Sequence, residues 1–279
     1  MSSERLLASA AKLPMSASIF SRLTTQLADA STTLEEVVGT VRLDPVLAAR
    51  VVRVANSPVY RRGSAVVALD EAIALIGTQE TCHIVGVMMA SRLFSADLPH
   101  YGVTGDGLWR ASITSAIAAR RLAARARCHE GECYTISLMR NLGRLLLERI
   151  AQEENLPLNA LPSRDAETVR TWERQVFGLD ALDATLRVLQ IWNLAPAAGR
   201  ILRRVRQRPF VEPAAAVLHL ANWIVERNGE TLEIERGLWR FELGALTTAG
   251  VDPESVEETL EETRAELVKL REILGHATD

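Results

Sequence analysis

Apolar side chains recur at helical spacing along most of the chain, and the strict alternation typical of a half-buried strand is hard to find. In the stretch 46–55, for example, Val46, Leu47, Val51 and Val54 fall toward one side. The intervening positions are rich in Ala, Leu, Glu and Arg, which are good helix formers. The pattern predicts an all-α fold.

Residues that begin and end helices divide this pattern into segments. Asp44 has the character of an N-cap, and Pro45 suits the first helical position. The sequence Asn-Ser-Pro at 56–58 predicts the end of that helix, because a residue before proline avoids the helical conformation. Thr32 and Glu35 have the spacing of a capping box, which predicts an earlier helix start.

The middle of the chain is predicted to hold longer helices. Gly77 suits the end of a short helix, and the glycine-rich stretch 95–107 is the best candidate for a linker. Beyond Pro99 there is no proline until Pro157, which leaves room for one helix at 108–127 and another at 134–151.

This organisation predicts two domains, an N-terminal helical subdomain at 1–98 and a helical domain at 99–279. The second ends in a helix at 253–274, with Asp252 as its N-cap and Gly275 as its terminator. Its apolar positions lie near heptad spacing, so we expect its seam either to pack on its own domain or to dock a partner or a second copy.

Composition excludes several classes of protein without naming an activity. The 279 residues include 32 Lys and Arg against 35 Asp and Glu, so the net charge of -3 excludes a globally basic nucleic-acid binder. Three cysteines argue against a disulfide framework and fit a reducing cytoplasm. No apolar run approaches the ~20 residues that a membrane span needs, and the first residues make a poor signal peptide. We therefore expect a cytoplasmic protein.

Motifs along most of the chain resemble one bacterial family, the HDOD domain family, whose members are output-domain relatives of the HD metal-dependent phosphohydrolases. The most specific block is Asp44-Pro45 followed by Asn56-Ser57-Pro58 and Tyr60. The matching stretches are Leu13-Pro14, 43–47, 54–60, 72–77, 108–112 and 138–145.

The resemblance implies an all-α fold in which an N-terminal helical bundle packs on an HD-like helical domain, and it implies a role in signal transduction. In the active HD enzymes, His and Asp side chains from several helices hold divalent metals, which activate water and bind phosphate. The resemblance also implies which positions of this chain match those ligands. They are Ala111, Arg140, Asn141, Ala181, Arg206 and Asn222.

These positions hold alanine, arginine and asparagine in place of the His and Asp ligands that the HD metal site needs. Alanine has no donor atom, and arginine is a permanent cation that repels a divalent ion. Independently of the family, the chain has five histidines, and no two are spaced as i and i+4. We therefore expect no catalytic residue, no metal and no cofactor.

Arg140 allows two interpretations. It could replace the charge of the metal and bind a phosphate-bearing ligand, or it could pair with a core acid such as Glu173. The candidate anion-binding residues are Arg140, Arg200, Arg203, Arg204 and Arg206. Arginines are frequent in two segments, 110–127 and 200–208. An ordinary solvated face, balanced by acids elsewhere in the chain, is the alternative for these arginine-rich segments. Binding of nucleic acid is disfavoured because no aromatic residues interleave with these arginines.

Other chemistry-bearing residues favour structural roles. The spacing of Cys128 and Cys133 is loose for zinc, and no second cysteine pair completes four ligands. Ser57 suits a helix stop better than a nucleophile. Structural roles are expected for the family-motif residues Asp44, Pro45, Asn56, Ser57, Pro58, Tyr60, Gly77 and Trp109.

The sequence thus predicts a non-catalytic output or scaffold protein of bacterial signal transduction, whose partner is another signalling protein. The alternative is a sensor that binds an anionic nucleotide second messenger in the former metal cleft. A residual metal-dependent phosphohydrolase is the remote alternative.

Overall fold

The computed structural model describes residues 31–159, 161–192 and 196–278, together with 8–9, 19, 22–23, 25–26 and 29. Side chains are described in these ranges except at 191, 196–197 and 273–278. The motif residues Leu13 and Pro14 lie outside the described residues.

The predicted all-α class is confirmed. In the part of the chain that the structure describes, the only β-type pairing is an isolated bridge between Leu98 and Val103. The helices from residue 34 onward are α1 (Leu34–Val41), α2 (Pro45–Ala55), α3 (Leu69–Ile76), α4 (Thr78–Leu93), α5 (Gly105–Arg125), α6 (Glu130–Met139), α7 (Leu142–Glu153), α8 (Ala166–Phe177), α9 (Ala181–Ile191), α10 (Pro196–Arg204), α11 (Pro213–Arg227), a 3-10 turn (Glu233–Glu235), α12 (Leu243–Ala249) and α13 (Pro253–Thr278).

Helix α2 begins as predicted, whereas the capping box of α1 lies one residue later than predicted. The Asp44 carboxylate accepts hydrogen bonds from the N–H groups of Val46 (2.9 Å) and Leu47 (3.1 Å). The capping box is formed by Thr33 and Glu36. The hydroxyl of Thr32 is engaged elsewhere, because it donates to the Gln26 carbonyl oxygen at 2.9 Å.

Two other predicted helix limits are wrong. The single helix expected at 134–151 is two helices, α6 and α7, because Asn141 (φ -92°, ψ 0°) leaves the helical conformation and the Gly143 N–H donates to the Thr185 hydroxyl at 2.8 Å. The terminal helix α13 continues past Gly275 to Thr278. Gly275 keeps a helical backbone, unlike Gly178, whose positive φ of 74° ends α8.

The chain divides into two compact units, one built from 93–263 with the described residues of 1–14, and the other from the described residues of 15–92 with 264–279. The first is called the unit 93–263 below. The domain limits expected at 1–98 and 99–279 stay predictions. In the unit 93–263, α5 packs against α6 and α11, and α7 packs against α9. Trp172 makes edge-to-face contacts with Tyr101 and Phe177, at centroid distances of 5.7 and 5.4 Å.

In the other unit, α3 packs against α1 and α2, and family-motif residues hold the loop after α2. The Asn56 amide donates to Val66 O at 2.7 Å and accepts from Val66 N at 2.8 Å. Ser57 is buried, and its N–H donates to the Val54 carbonyl oxygen at 3.0 Å. Gly77 ends α3 with a φ of 97°.

Residues of the same unit connect α13 to α4. The Tyr60 hydroxyl donates to Glu80 at 2.9 Å, and the Lys269 ammonium donates to the same carboxylate at 3.3 Å. Lys269 Nζ also lies 5.1 Å from the centroid of the Tyr60 ring, a cation–π distance. The last part of α13 therefore packs on this unit, most of which lies within the predicted N-terminal subdomain, and not on the domain 99–279 to which the sequence assigned the helix.

No single described helix has the length and apolar character of a membrane span. The consecutive helices α3 and α4 have the length and composition of a membrane span only when they are taken together, and they are bent by 106° at Gly77.

Candidate functional site

The break between α6 and α7 places two arginines and an asparagine together in the unit 93–263. Arg140 follows the last residue of α6, and Arg144 lies in the first turn of α7, one helical turn later. Their side chains are 7% and 8% exposed, so both guanidinium groups are removed from bulk water. A buried guanidinium needs a nearby anion to be tolerated.

Glu235 supplies that anion from the 3-10 turn. Arg140 Nη1 donates to both carboxylate oxygens at 2.8 Å, and Arg144 Nη1 donates to Oε1 at 2.5 Å. The indole N–H of Trp239 donates to Oε2 at 3.1 Å. Burial alone would raise the pKa of Glu235, but Arg140 and Arg144 outweigh burial and hold this pKa far below its usual range.

The partner of Arg140 is therefore Glu235, and not Glu173 as the sequence suggested. Glu173 is buried, accepts from the Tyr101 hydroxyl at 3.1 Å, and accepts from the Ala181 N–H at 2.8 Å. Burial raises the pKa of this carboxyl, and the Arg144 charge and these hydrogen bonds only partly oppose the rise.

Two buried amides lie next to the cluster, at positions where the resemblance implies acidic metal ligands. The Asn141 amide nitrogen donates to the Ser112 hydroxyl at 3.1 Å, while its oxygen accepts from Arg144 at 2.7 Å. The Asn222 amide nitrogen donates to the Leu218 carbonyl oxygen at 2.7 Å. Ser115 donates to the Asn222 oxygen at 3.1 Å. Both amides are thus hydrogen-bonded within the fold.

A cavity of about 40 Å³ lies against this cluster. Four of the six positions matched to metal ligands line it, namely Arg140, Ala181, Arg206 and Asn222. Asn141 is buried beside Arg140, whereas Ala111 is buried on α5 next to Ser112 and does not line the cavity. Four residues that the resemblance matches to metal ligands, although they are far apart in sequence, therefore lie around one cavity.

Arg206, like Arg140, lines this cavity, while the other three candidate anion-binding arginines do not. Its guanidinium carbon lies 5.8 Å from the centroid of the Trp239 ring, and that of Arg140 lies at the same distance. On α10, Arg200 and Arg204 pair instead with Glu212, at 2.8 and 3.7 Å, and Arg203 is exposed. The five predicted anion-binding residues are thus not brought to one site.

The first arginine-rich segment also pairs internally. Arg110 makes a bidentate contact with Glu230 at 2.6 and 2.7 Å. Arg125 and Arg121 both bond Glu262 on α13, at 3.0 and 2.9 Å. The acidic start of the last helix thus neutralises part of this segment. This agrees with the alternative interpretation, in which acids elsewhere in the chain balance the arginines.

No group of three or more His, Cys, Asp or Glu side chains that could hold a metal ion occurs within the described ranges. His129 instead caps α6, accepting from the Glu132 N–H at 3.3 Å. Burial raises the pKa of both Cys128 and Cys133, which opposes formation of thiolate ligands. Trp109 is half-buried, and its indole N–H has no hydrogen-bond partner among the described residues.

The comparison with models of protein families identifies one family. The family model described as the HDOD domain matches residues 13–207. An HDOD domain protein of unknown function from Geobacter sulfurreducens has a TM-score of 0.64 at 17% identity, with 96% of each chain covered. No curated protein matches the sequence.

Two further structures share the fold. A Shewanella amazonensis SB2B protein, provisionally named a phosphohydrolase, has a TM-score of 0.63 at 22% identity, with 98% of each chain covered. A Marinobacter aquaeolei VT8 protein, provisionally named a signal transduction protein, has a TM-score of 0.67 at 18% identity. That match covers 99% of this chain and 64% of the other.

Proposed function

Because the chain belongs to the HDOD family, we propose that it is a non-catalytic signal-transduction protein that acts by binding another signalling protein in the cytoplasm. We propose in addition that its HD-like cleft holds no metal. The relatives' names include both a signal transduction protein and a phosphohydrolase, so the chemistry of this chain's own residues has to decide between them.

The observation that carries the proposal is the Arg140–Arg144–Glu235 cluster, in which Arg140 occupies a position matched to a metal ligand and Asn141 bonds Arg144. A divalent ion needs several carboxylate or imidazole ligands that are free to coordinate it. Here Glu235 is bonded by two guanidinium groups and an indole N–H. Three arginine charges would also repel a cation at this place. The residues present therefore do not fit the metal centre of the HD enzymes.

The nucleotide-sensor alternative has less support. Sites for small molecules usually enclose roughly 300–1,000 Å³, whereas the cavity beside Arg140 measures about 40 Å³. A whole nucleotide could enter only by displacing the buried Glu235 or its partners, at the cost of leaving buried charges unpaired.

A hydrolysis assay tests the catalytic half of the proposal. The full chain is incubated with excess Mn²⁺ or Mg²⁺ and with bis(p-nitrophenyl) phosphate or p-nitrophenyl phosphate. We expect no rate above that of buffer, and no difference between the wild type and Glu235→Gln. Metal-dependent turnover by the wild type that the substitution abolishes would contradict the proposal.

Cross-linking in the native host, followed by mass spectrometry, tests the interaction half. The expected result is one signalling protein recovered with the chain at comparable amounts and at native expression. Recovery of the chain alone, under conditions that preserve a known complex from the same cells, would refute this half and leave the catalytic half standing.

A further inference from the structure

The cavity beside Arg140 has an excess of positive charge. Arg140, Arg144 and Arg206 all interact electrostatically with Glu235, the acid that two of them bond directly. The next acid, Glu173, is already bonded by Tyr101 and Ala181. Even with both acids ionised, three guanidinium charges face two carboxylates.

The remaining charged groups at the cavity do not change this balance. Asp180 is paired with Arg174, whose Nη2 donates to it at 2.8 Å. Arg170 is paired with Glu167, to which it donates at 2.7 and 2.8 Å. Asp180 also interacts electrostatically with Arg206. Because these two pairs are each neutral, the charged groups around the cavity still sum to one positive charge in excess.

Hydrogen-bond donors at the cavity are also unsatisfied. The Nε atoms of Arg140 and Arg144 are buried and have no partner among the described residues. Arg206 lies over the Trp239 ring, and no residue in the described ranges accepts a hydrogen bond from it. Buried donors of charged groups are costly to leave unpaired, so the Nε atoms of Arg140 and Arg144 favour an acceptor that enters the cavity.

The size of the cavity limits what that acceptor can be. One water needs at least roughly 10–15 Å³, so a cavity of about 40 Å³ accommodates a few waters or a group of similar size. A carboxylate or a phosphoryl group is of this size and offers two or more acceptor oxygens, which suits the fork geometry of guanidinium groups. The exposed Arg206 provides an approach from solvent.

From the charge balance, the unpaired donors and the volume, we propose that this cavity binds a small oxyanion through Arg206, Arg140 and Arg144. The oxyanion is either a free ion or the anionic end of a larger ligand that stays outside. This inference rests on the metal-free cleft proposed above and is independent of the protein partner.

Equilibrium binding to the full chain tests the inference, with inorganic phosphate, phosphoserine and acetate as probes at constant ionic strength in sodium chloride. We expect about one phosphate per chain. Arg206→Gln should weaken binding about tenfold or more, as expected for the loss of charge-assisted hydrogen bonds. The matched control Arg203→Gln removes an exposed arginine nearby on α10 and should leave the affinity unchanged.

The probes separate the sources of the oxyanion. Phosphate binding alone indicates a free ion, equal binding of phosphoserine indicates a phosphoryl group on a larger ligand, and equal binding of acetate indicates a carboxylate. If Arg206→Gln lacks the wild-type circular dichroism spectrum, Arg206→Lys is used, which keeps the charge but loses the fork geometry and should still weaken binding.

Absence of saturable binding of every probe below about 10 mM would overturn the inference. Equal weakening by Arg206→Gln and Arg203→Gln would overturn it as well. Either result, in protein that contains no metal, would leave the proposed function intact. Stoichiometric metal in the cleft would instead overturn both.

Discussion

Glu235 is the residue on which the electrostatics of the cleft depend. Its side chain is 1% exposed and lies between two guanidinium groups. Glu235→Gln keeps the shape but leaves Arg140 and Arg144 buried without their anion. Removal of one partner from a buried ion pair costs about 3–5 kcal/mol, and we expect a loss of that size in the free energy of unfolding, measured with urea.

Glu233→Gln is the matched control, because Glu233 lies on the same 3-10 turn but its side chain is 55% exposed. Its ion pair, with the half-exposed Arg164 at 3.4 Å, is open to solvent. Exposed pairs contribute about 0–1 kcal/mol, so this variant should be nearly neutral. Equal losses of unfolding free energy for the two substitutions would show that the buried cluster does not stabilise the fold more than an exposed ion pair does.

His100 is a second residue whose environment has a measurable consequence. Burial opposes its protonation, but its ring nitrogens contact Glu148 Oε1 at 2.8 Å and Leu156 O at 3.0 Å, and these acceptors raise its pKa. Because folding raises the pKa of His100, its protonation stabilises the folded state. This stabilisation is fully present at pH values below the pKa of about 6.5 that histidine has in the unfolded chain. That stabilisation is lost as the pH rises through the folded pKa.

We therefore expect the difference in unfolding free energy between the wild type and His100→Asn to shrink as the pH rises from about 5.5 to about 9. His129→Asn is the control, since His129 is exposed and asparagine also caps helices. A difference that is independent of pH, or that grows with pH, would contradict the protonated His100–Glu148 pair.

The sequence could identify some of these residues but not others. Arg140, Asn141 and Asn222 were found because they occupy positions of a recognised motif. Glu235 was missed because it lies 95 residues beyond Arg140 and outside the matched motifs. Arg144 carried a detectable signal, because it follows Arg140 by one helical turn on the same side.

At the scale of helices, Gly143 permits the close crossing of α7 and α9. A Cβ atom at this position would lie 1.8 Å from the Ala181 carbonyl oxygen, and backbone atoms cannot move aside as a flexible side chain can. Gly143→Ala should therefore destabilise the unit 93–263 by about 1–3 kcal/mol or more, although alanine is the better helix former by about 1 kcal/mol.

Gly199→Ala tests the same substitution where there is room. A Cβ atom at Gly199 in α10 would lie 3.8 Å from a Leu186 methyl carbon, an ordinary contact distance. This variant should be neutral or stabilised by up to about 1 kcal/mol. Thermal unfolding of both variants gives the comparison, and a Gly143→Ala protein as stable as the wild type would refute the close crossing.

Local sequence signals located helix starts better than interruptions. The cap at Asp44 was predicted because the capping carboxylate and the first N–H groups are neighbours in sequence. The break at Asn141 was not, because its causes are contacts with Ser112 and Thr185 on other helices. Tertiary contacts of this kind leave no periodic pattern in the chain.

For the whole molecule, the distribution of arginine pairs predicts weak interaction with nucleic acid. In both arginine-rich segments several guanidinium groups are held by acids of the chain, such as Glu230, Glu262 and Glu212. Paired charges release few counterions from a phosphate backbone. Fluorescence anisotropy with a labelled duplex should show no saturable binding up to about 10 μM protein at about 50 mM salt. Micromolar affinity that falls steeply with salt would contradict this.

We propose that the HD-like cleft is an arginine–glutamate cluster and not a metal centre. The most direct test of this proposal is the metal content of the full chain after equilibration with excess Mn²⁺ and dialysis, measured by inductively coupled plasma mass spectrometry. We predict fewer than about 0.1 metal ions per chain, since the cluster offers no free ligand set. One or more tightly bound ions per chain would contradict the claim.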